Sequence, residues 1–177
     1  MDRMWSPWRS QHLATFEREH VPDGEGSVFS RIAADPENDA DHFVLWRGED
    51  VFVVMNLYPY NNGHLLLVPY RQVDSYRDLT ADEQTEVAAL VDRAMGWLDA
   101  ALSPDGYNVG MNQGISGGAG IPDHLHIHIV PRWSGDTNFM PVTGETKILP
   151  EALHDTYGKL CDAIATERDD TSDTSNA

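Results

Sequence analysis

From Phe43 onward the apolar residues fall into two rhythms. FVLWRG (residues 43–48) and VFVVMN (51–56) are β-branched and aromatic runs joined through Gly48-Glu49-Asp50. They predict a strand, a tight turn and a second strand. LYPYNNG (57–63) is broken by Pro59 and Asn62-Gly63 and predicts a loop. HLLLVPY (64–70) predicts a third, largely buried strand ending at Pro69. The period then changes. Val87, Leu90, Val91, Ala94, Leu98 and Leu102 recur at helical spacing,. Ahead of them, Thr80-Ala81-Asp82-Glu83 has the form of a capping box, with Thr80 as cap and Glu83 three residues on. Ser103-Pro104-Asp105-Gly106 ends that helix. YNVGMNQ (107–113) predicts a strand, GISGGAGIPD (114–123) a glycine-rich loop and HLHIHIVP (124–131) the next strand,. Leu153, Tyr157, Leu160 and Ile164 predict a second helix from about Pro150 to about Arg168.

Strands joined by short turns, with two main helices between and after them, predict an antiparallel sheet with helices packed on it, an α+β domain. The expected division is an N-terminal arm and loop over 1–42, a catalytic domain over 43–168 and a disordered tail over 169–177. Within the arm, Trp5, Pro7, Trp8 and Arg9 predict a segment that docks on the core. Residues 22–42 are rich in turn formers and acids, with a short helical piece around Val28–Ala34.

Composition narrows the function classes. With 177 residues and 41% hydrophobic content the chain is long and apolar enough for one domain with a core,. No apolar run approaches the roughly 18 residues of a membrane span, and no signal core is expected at the N-terminus. Cys161 is the single cysteine, so no intrachain disulfide or cysteine-built zinc site is possible, and a cytoplasmic location is expected,. A net charge of −17, from 29 acidic against 12 basic residues, repels nucleic-acid backbones and anionic membranes,. A small anionic substrate remains open.

The candidate chemistry lies in IPDHLHIHIVPRW (121–133), where three of the 8 histidines stand at alternate positions. In a strand His124, His126 and His128 share one face, and Leu125, Ile127 and Ile129 plug the core from the other. Same-face neighbours on a strand are roughly 6.5–7 Å apart, so the outer two are about 13 Å apart. Zinc sits roughly 2 Å from each imidazole nitrogen, so the three converge poorly on one ion. A metal site would need His126, one neighbour and an outside ligand such as His64 or Asp123, and no metal site is expected. Imidazoles set side by side suit chemistry on a phosphate: a neutral ring is a nucleophile and a protonated one donates to developing negative charge. The adjacent GISGGAG loop offers backbone amides for an anion.

The seven residues His124-Leu125-His126-Ile127-His128-Ile129-Val130 resemble the histidine triad signature, in which histidines alternate with apolar residues. Asn56 and Gly63-His64 resemble the upstream nucleotide-binding strand and fourth histidine of that family. Asn112, ahead of Gly117-Gly118, resembles the amide residue before its phosphate loop. The flanks MWSPWR and VPRWSGDTNFMPV resemble a bacterial branch that includes diadenosine tetraphosphate phosphorylases.

The resemblance implies the family's α+β fold and a homodimer. It implies an enzyme that cleaves at the α-phosphate of a nucleotide or dinucleoside polyphosphate. His126 would attack that phosphate and form a nucleotidyl-histidine, and His128 would contact the phosphate and assist the leaving group. His124 and His64 would orient the pair. Asn56 would hold ribose, and Asn112, Gln113, Gly117 and Gly118 would approach the phosphates. No cofactor follows. Two departures stand out: Ile121 occupies a position that is commonly Ser or Thr in the family, and Ala119 one that is often Ser in its phosphorylases. They place hydrolysis or nucleotidyl transfer ahead of phosphorolysis. The remaining alternatives are a nucleotide-binding regulatory protein and a metal-dependent hydrolase. Elsewhere, His42 and His154 are expected at the surface, Cys161 in the core, Trp133 in packing, and Arg132 and Lys147 in solvent.

Overall fold

The computed structural model describes residues 25–137 and 151–174. The expectations for Trp5, Pro7, Trp8, Arg9 and Lys147 lie outside the described residues. Those residues form helix α1 (Val28–Ala33), strands β1 (Val44–Arg47), β2 (Val51–Met55) and β3 (Leu65–Pro69), helix α2 (Ala81–Leu102), strands β4 (Gly106–Met111) and β5 (Ile127–Arg132), and helix α3 (Leu153–Thr174). The strands make one antiparallel sheet in the order β1-β2-β3-β5-β4.

The sheet has two covered faces, and the alternation of side chains sorts residues between them. Val51, Val53, Met55, Leu65, Leu67, Ile127 and Ile129 point to one side, where Val87, Leu90, Ala94, Trp97 and Leu98 of α2 and Leu160 and Ile164 of α3 close over them. Phe52, Val54, Leu66 and Val68 point to the other, where Phe29 and Ile32 of α1 meet them. Covering on both faces explains why β2 and β3 are apolar at every position instead of alternating,.

Local chemistry sets the joints. Glu86 of α2 accepts the backbone N–H groups of Glu49 (2.8 Å) and Asp50 (2.6 Å), clamping the β1–β2 turn to the helix. A Cβ on Gly48 would lie 2.1 Å from that carboxylate and 2.7 Å from the Val51 carbonyl oxygen, so the turn needs glycine there. Both halves of the capping box form: Thr80 Oγ1 accepts from Glu83 N–H (3.2 Å) and Glu83 accepts from Thr80 N–H (2.7 Å). Arg71 donates to both oxygens of this buried Glu83, each at 2.7 Å, and holds its carboxyl below the usual range. Among the described residues no helix is long and apolar enough to cross a membrane.

Four expectations change. The last strand begins at Ile127, not His124, because both neighbours leave the ladder there. β4 pairing stops at Met111↔Ile127 and β3 pairing at Leu67↔Ile127, just before Pro69 ends β3. The last helix continues to Thr174, past Arg168. His42 is buried, 8% exposed, and paired with Asp35 at 3.0 Å; the α1 segment folds back over it. Arg132 is engaged by Asp136 and Asn108 rather than left to solvent. Trp133 packs half-buried, and Cys161 packs against the helix-side core.

Candidate active site

On the α1 side of the sheet a cleft opens between α1, the end of β2, the start of β5 and the glycine-rich loop. Val28, Phe29, Ile32, Leu57 and Ile121 make its apolar part, and Asn56, Asn112, Gly118, His126 and His128 its polar end. This is the usual division of a small-molecule site, an apolar body with a few convergent polar groups.

His64 starts from a tight joint. Gly63 has φ +70, and a Cβ there would meet Leu102 at 2.5 Å and Leu98 at 3.0 Å. The chain therefore turns against α2 and delivers His64 fully buried at the head of β3. Its Nδ1 faces the backbone N–H of Tyr60 at 3.0 Å. That N–H can only donate, so His64 Nδ1 accepts and the ring proton sits on Nε2. Asn56 Nδ2 donates to the same Nδ1 at 3.2 Å, while Asn56 Oδ1 accepts from Tyr58 N–H at 2.9 Å. His64 Nε2–H then donates to His128 Nδ1 at 3.0 Å. His128 in its neutral form consequently carries its proton on Nε2, the nitrogen away from His64. The Tyr60 ring lies nearly parallel to His128, 20° between planes, and its hydroxyl accepts from Asn112 Nδ2 at 3.3 Å.

His126 is fixed the opposite way. Its Nδ1 faces the backbone carbonyl of His124 at 2.8 Å. A carbonyl can only accept, so Nδ1 holds the proton and Nε2 keeps its lone pair. Burial, partly countered by this bond, pushes the His126 pKa below the usual imidazole range. The ring is therefore neutral and basic on Nε2 near neutral pH. The His126 and His128 rings are 4.9 Å apart between centroids, at 69°. A lone pair and an N–H donor stand side by side, which is the pairing that displacement at phosphorus requires.

His124 turns away from the cleft. Its Nε2 donates to the Pro69 carbonyl at 2.8 Å, and its Nδ1 lies 2.5 Å from Ser27 Oγ. Burial also lowers its pKa. Gln113 does not reach the cleft lining; its side-chain oxygen accepts from Tyr76 N–H at 3.1 Å. Gly117 closes a short 3₁₀ turn over Ile115–Gly117, and Gly118 (φ +85) is the glycine of the pair that lines the cleft. Among the described residues no three His, Cys, Asp or Glu side chains gather as a metal-ligand set.

Sequence reasoning missed the wall built by Val28, Phe29 and Ile32, and also Tyr60, His42 and Ser27. The signal for the wall was present: apolar residues at i, i+1 and i+4 after a serine cap describe a short amphipathic turn. The short helix itself was expected around Val28–Ala34 and forms over Val28–Ala33; what spacing did not give was its place beside the histidines. Nothing in sequence spacing links Tyr60 to His128 or Ser27 to His124.

The family model for the HIT domain matches residues 37–135. The chain belongs to the HIT family. It is 40% identical to the AP-4-A phosphorylase of Mycobacterium tuberculosis over 157 residues, covering 88% of this chain and 80% of that protein. The asymmetrical bis(5'-nucleosyl)-tetraphosphatase of Schizosaccharomyces pombe is 32% identical over 93 residues, 52% of this chain and 50% of that one. A zinc-bound histidine triad protein from Mycobacterium smegmatis superposes with a TM-score of 0.66 at 22% identity, over 81% of this chain and 96% of that one. That likeness establishes the α+β HIT fold. Ile121 packs beside the α1-face core and lines the cleft.

Proposed function

We propose that this HIT protein transfers a nucleotidyl group from a dinucleoside polyphosphate to inorganic phosphate through a nucleotidyl-His126 intermediate. The observation that carries the reading is the His126 Nδ1–H bond to the His124 carbonyl, which directs the Nε2 lone pair elsewhere. In the first step the P–N bond to His126 forms and the bond from the α-phosphorus to the leaving polyphosphate oxygen breaks. In the second a phosphate oxygen attacks and the P–N bond breaks, releasing a nucleoside diphosphate. Splitting one displacement into two is the benefit of a covalent nucleophile. His128 Nε2–H and the Asn112 amide stabilise charge on the phosphate. Asn56 holds ribose, and Val28, Phe29 and Ile32 receive the base.

Similarity to a phosphorylase over most of the chain favours phosphate as acceptor. Ala119 and Ile121, in place of hydroxyl side chains, favour water, so hydrolysis is the second reading. Diadenosine tetraphosphate supplied with and without phosphate separates them. ATP and ADP formed only with phosphate supports phosphorolysis; ATP and AMP formed regardless of phosphate establishes hydrolysis. Retained turnover in His126→Ala overturns both. The family resemblance also implies a homodimer, for which sedimentation should give twice the chain mass. The net charge of −17 argues for a small nucleotide and against polymeric nucleic acid as the substrate,.

A further inference from the structure

The nucleophile sits outside the sheet ladder. Pairing of β5 with β3 and β4 begins at Ile127, so His124, Leu125 and His126 precede the ladder. Leu125 N–H still reaches the Val73 carbonyl at 2.6 Å. The carbonyl that orients His126 is the other end of that same peptide group, and the His124 imidazole gives it a second hold. One ring nitrogen is tied to Pro69 O and the other to Ser27 Oγ.

Ser27 is the N-cap of α1. Its Oγ accepts from Ser30 N–H at 3.1 Å, which leaves its proton for His124 Nδ1. Because His124 Nε2 must donate to a carbonyl, Nδ1 of the neutral ring is an acceptor, and the bond has one direction. Gln72 completes a staple: its Oε1 accepts from Ser27 N–H (3.0 Å) and Ser30 Oγ–H (3.1 Å), and its Nε2 donates to Asp123 (3.0 Å). Phe29, two residues past Ser27, packs on both His124 (5.6 Å) and His126 (5.1 Å) between centroids. The Ser27 hydroxyl thus makes the short link between the helix that walls the cleft and His124, with Ser30 Oγ farther from the same nitrogen at 3.5 Å.

We propose that Ser27 is a positioning residue for the reaction: by donating to His124 it holds the His124 carbonyl that fixes the tautomer and aim of His126. The inference rests on His126 being the nucleophile. Three variants of the full chain test it with diadenosine tetraphosphate and phosphate. Ser27→Ala and Ser27→Gly both remove the hydroxyl, but glycine is nearly as good a cap and costs only a few tenths of a kcal/mol there. Ser27→Thr keeps both cap and hydroxyl. Loss of this bond should lower kcat about ten-fold in the Ala and Gly variants, with KM changed less than about two-fold. It should also move the acid limb of the pH profile upward, since His124 protonates more readily without a donor on Nδ1. Ser27→Thr should restore kcat to within about three-fold. Nitrogen NMR of labelled histidine should show the Nδ1–H tautomer of His126 in the parent chain and a mixture in Ser27→Gly.

Wild-type kcat and acid limb in Ser27→Gly overturn the inference. So does an equal loss in Gly and Thr, or a loss in Ala alone that follows its lower stability. Activity persisting in His126→Ala removes the nucleophile reading itself. An inactive His126→Ala beside a wild-type Ser27→Gly removes only the role of Ser27.

Discussion

His64, His128, His124 and His126 form two pairs held by different means. His64 and His128 stand at the head of β3 and within β5, and adjacent ladder pairs run Leu65↔Ile129 and Leu66↔His128. Their relative position comes from backbone register, and a 3.0 Å imidazole–imidazole bond follows from it. His124 and His126 lie beyond the ladder. Their positions come from side-chain bonds to Ser27 and Pro69, from the single backbone bond of Leu125 to Val73, and from one carbonyl. Register places a residue to within the rigidity of a sheet. Side-chain ties place it only as firmly as the elements they reach, here α1 and the segment after β3. His128, the proposed proton donor, is therefore set by the sheet, and His126, the proposed nucleophile, by segments outside it, among them the α1 wall of the cleft.

The largest test of this contrast is the nucleophile. His126→Ala should reduce turnover at least about a thousand-fold, measured as ATP release from diadenosine tetraphosphate, because it removes the proposed covalent nucleophile. A loss under ten-fold would dissolve the distinction between the pairs. His128→Ala should cost about a hundred-fold, the usual scale for a positioned proton donor. Because His64 acts only through His128, His64→Ala should cost less, about ten-fold, and His64→Ala/His128→Ala should be no worse than His128→Ala alone. Additive losses would show that His64 acts independently.

The tied pair also governs pH dependence. Burial depresses His124 and His126 in the fold, while in the unfolded chain both return to about 6.5,. The unfolded state therefore binds more protons as pH falls. The associated stability is complete above about pH 6.5 and declines below it, by up to about 1.4 kcal/mol per pH unit for each ring. Denaturation midpoints measured from pH 7.5 to 5 should show this, and a flat profile would contradict the depressed values. The acid limb of kcat/KM should likewise fall below the ordinary imidazole range. The smallest expected effect is dynamic: the His126 amide should exchange with solvent faster than those of His128 and Ile129 inside the ladder. Equal protection would mean that the ties match the ladder in rigidity.

Much of this molecule was legible in one dimension. Short β-branched, aromatic and apolar runs bounded by turn formers yielded the five strands, and helical spacing yielded α2 with its capping box at Thr80 and Glu83 and the start of α3 within three residues of the expected Pro150. Alternation also separated the histidines from Leu125, Ile127 and Ile129, since two residues per repeat is a local property of extended backbone. It holds even for His124 and His126, which precede the ladder: Phe29 of α1 packs on both rings, while Leu125 joins the helix-side core. The grouping of His64, His126 and His128 with Asn56 and Asn112 followed from resemblance rather than spacing.

What tertiary structure alone decided was which nitrogen carries each proton and what holds each ring. Those depend on Tyr60 N–H, the Pro69 carbonyl and Ser27 Oγ, groups that lie 4, 55 and 97 residues from the histidines they touch. Hydrophobic period reports burial, which a residue shares with its face. A tautomer depends on one donor or acceptor within about 3 Å, and only the folded chain brings that partner into place.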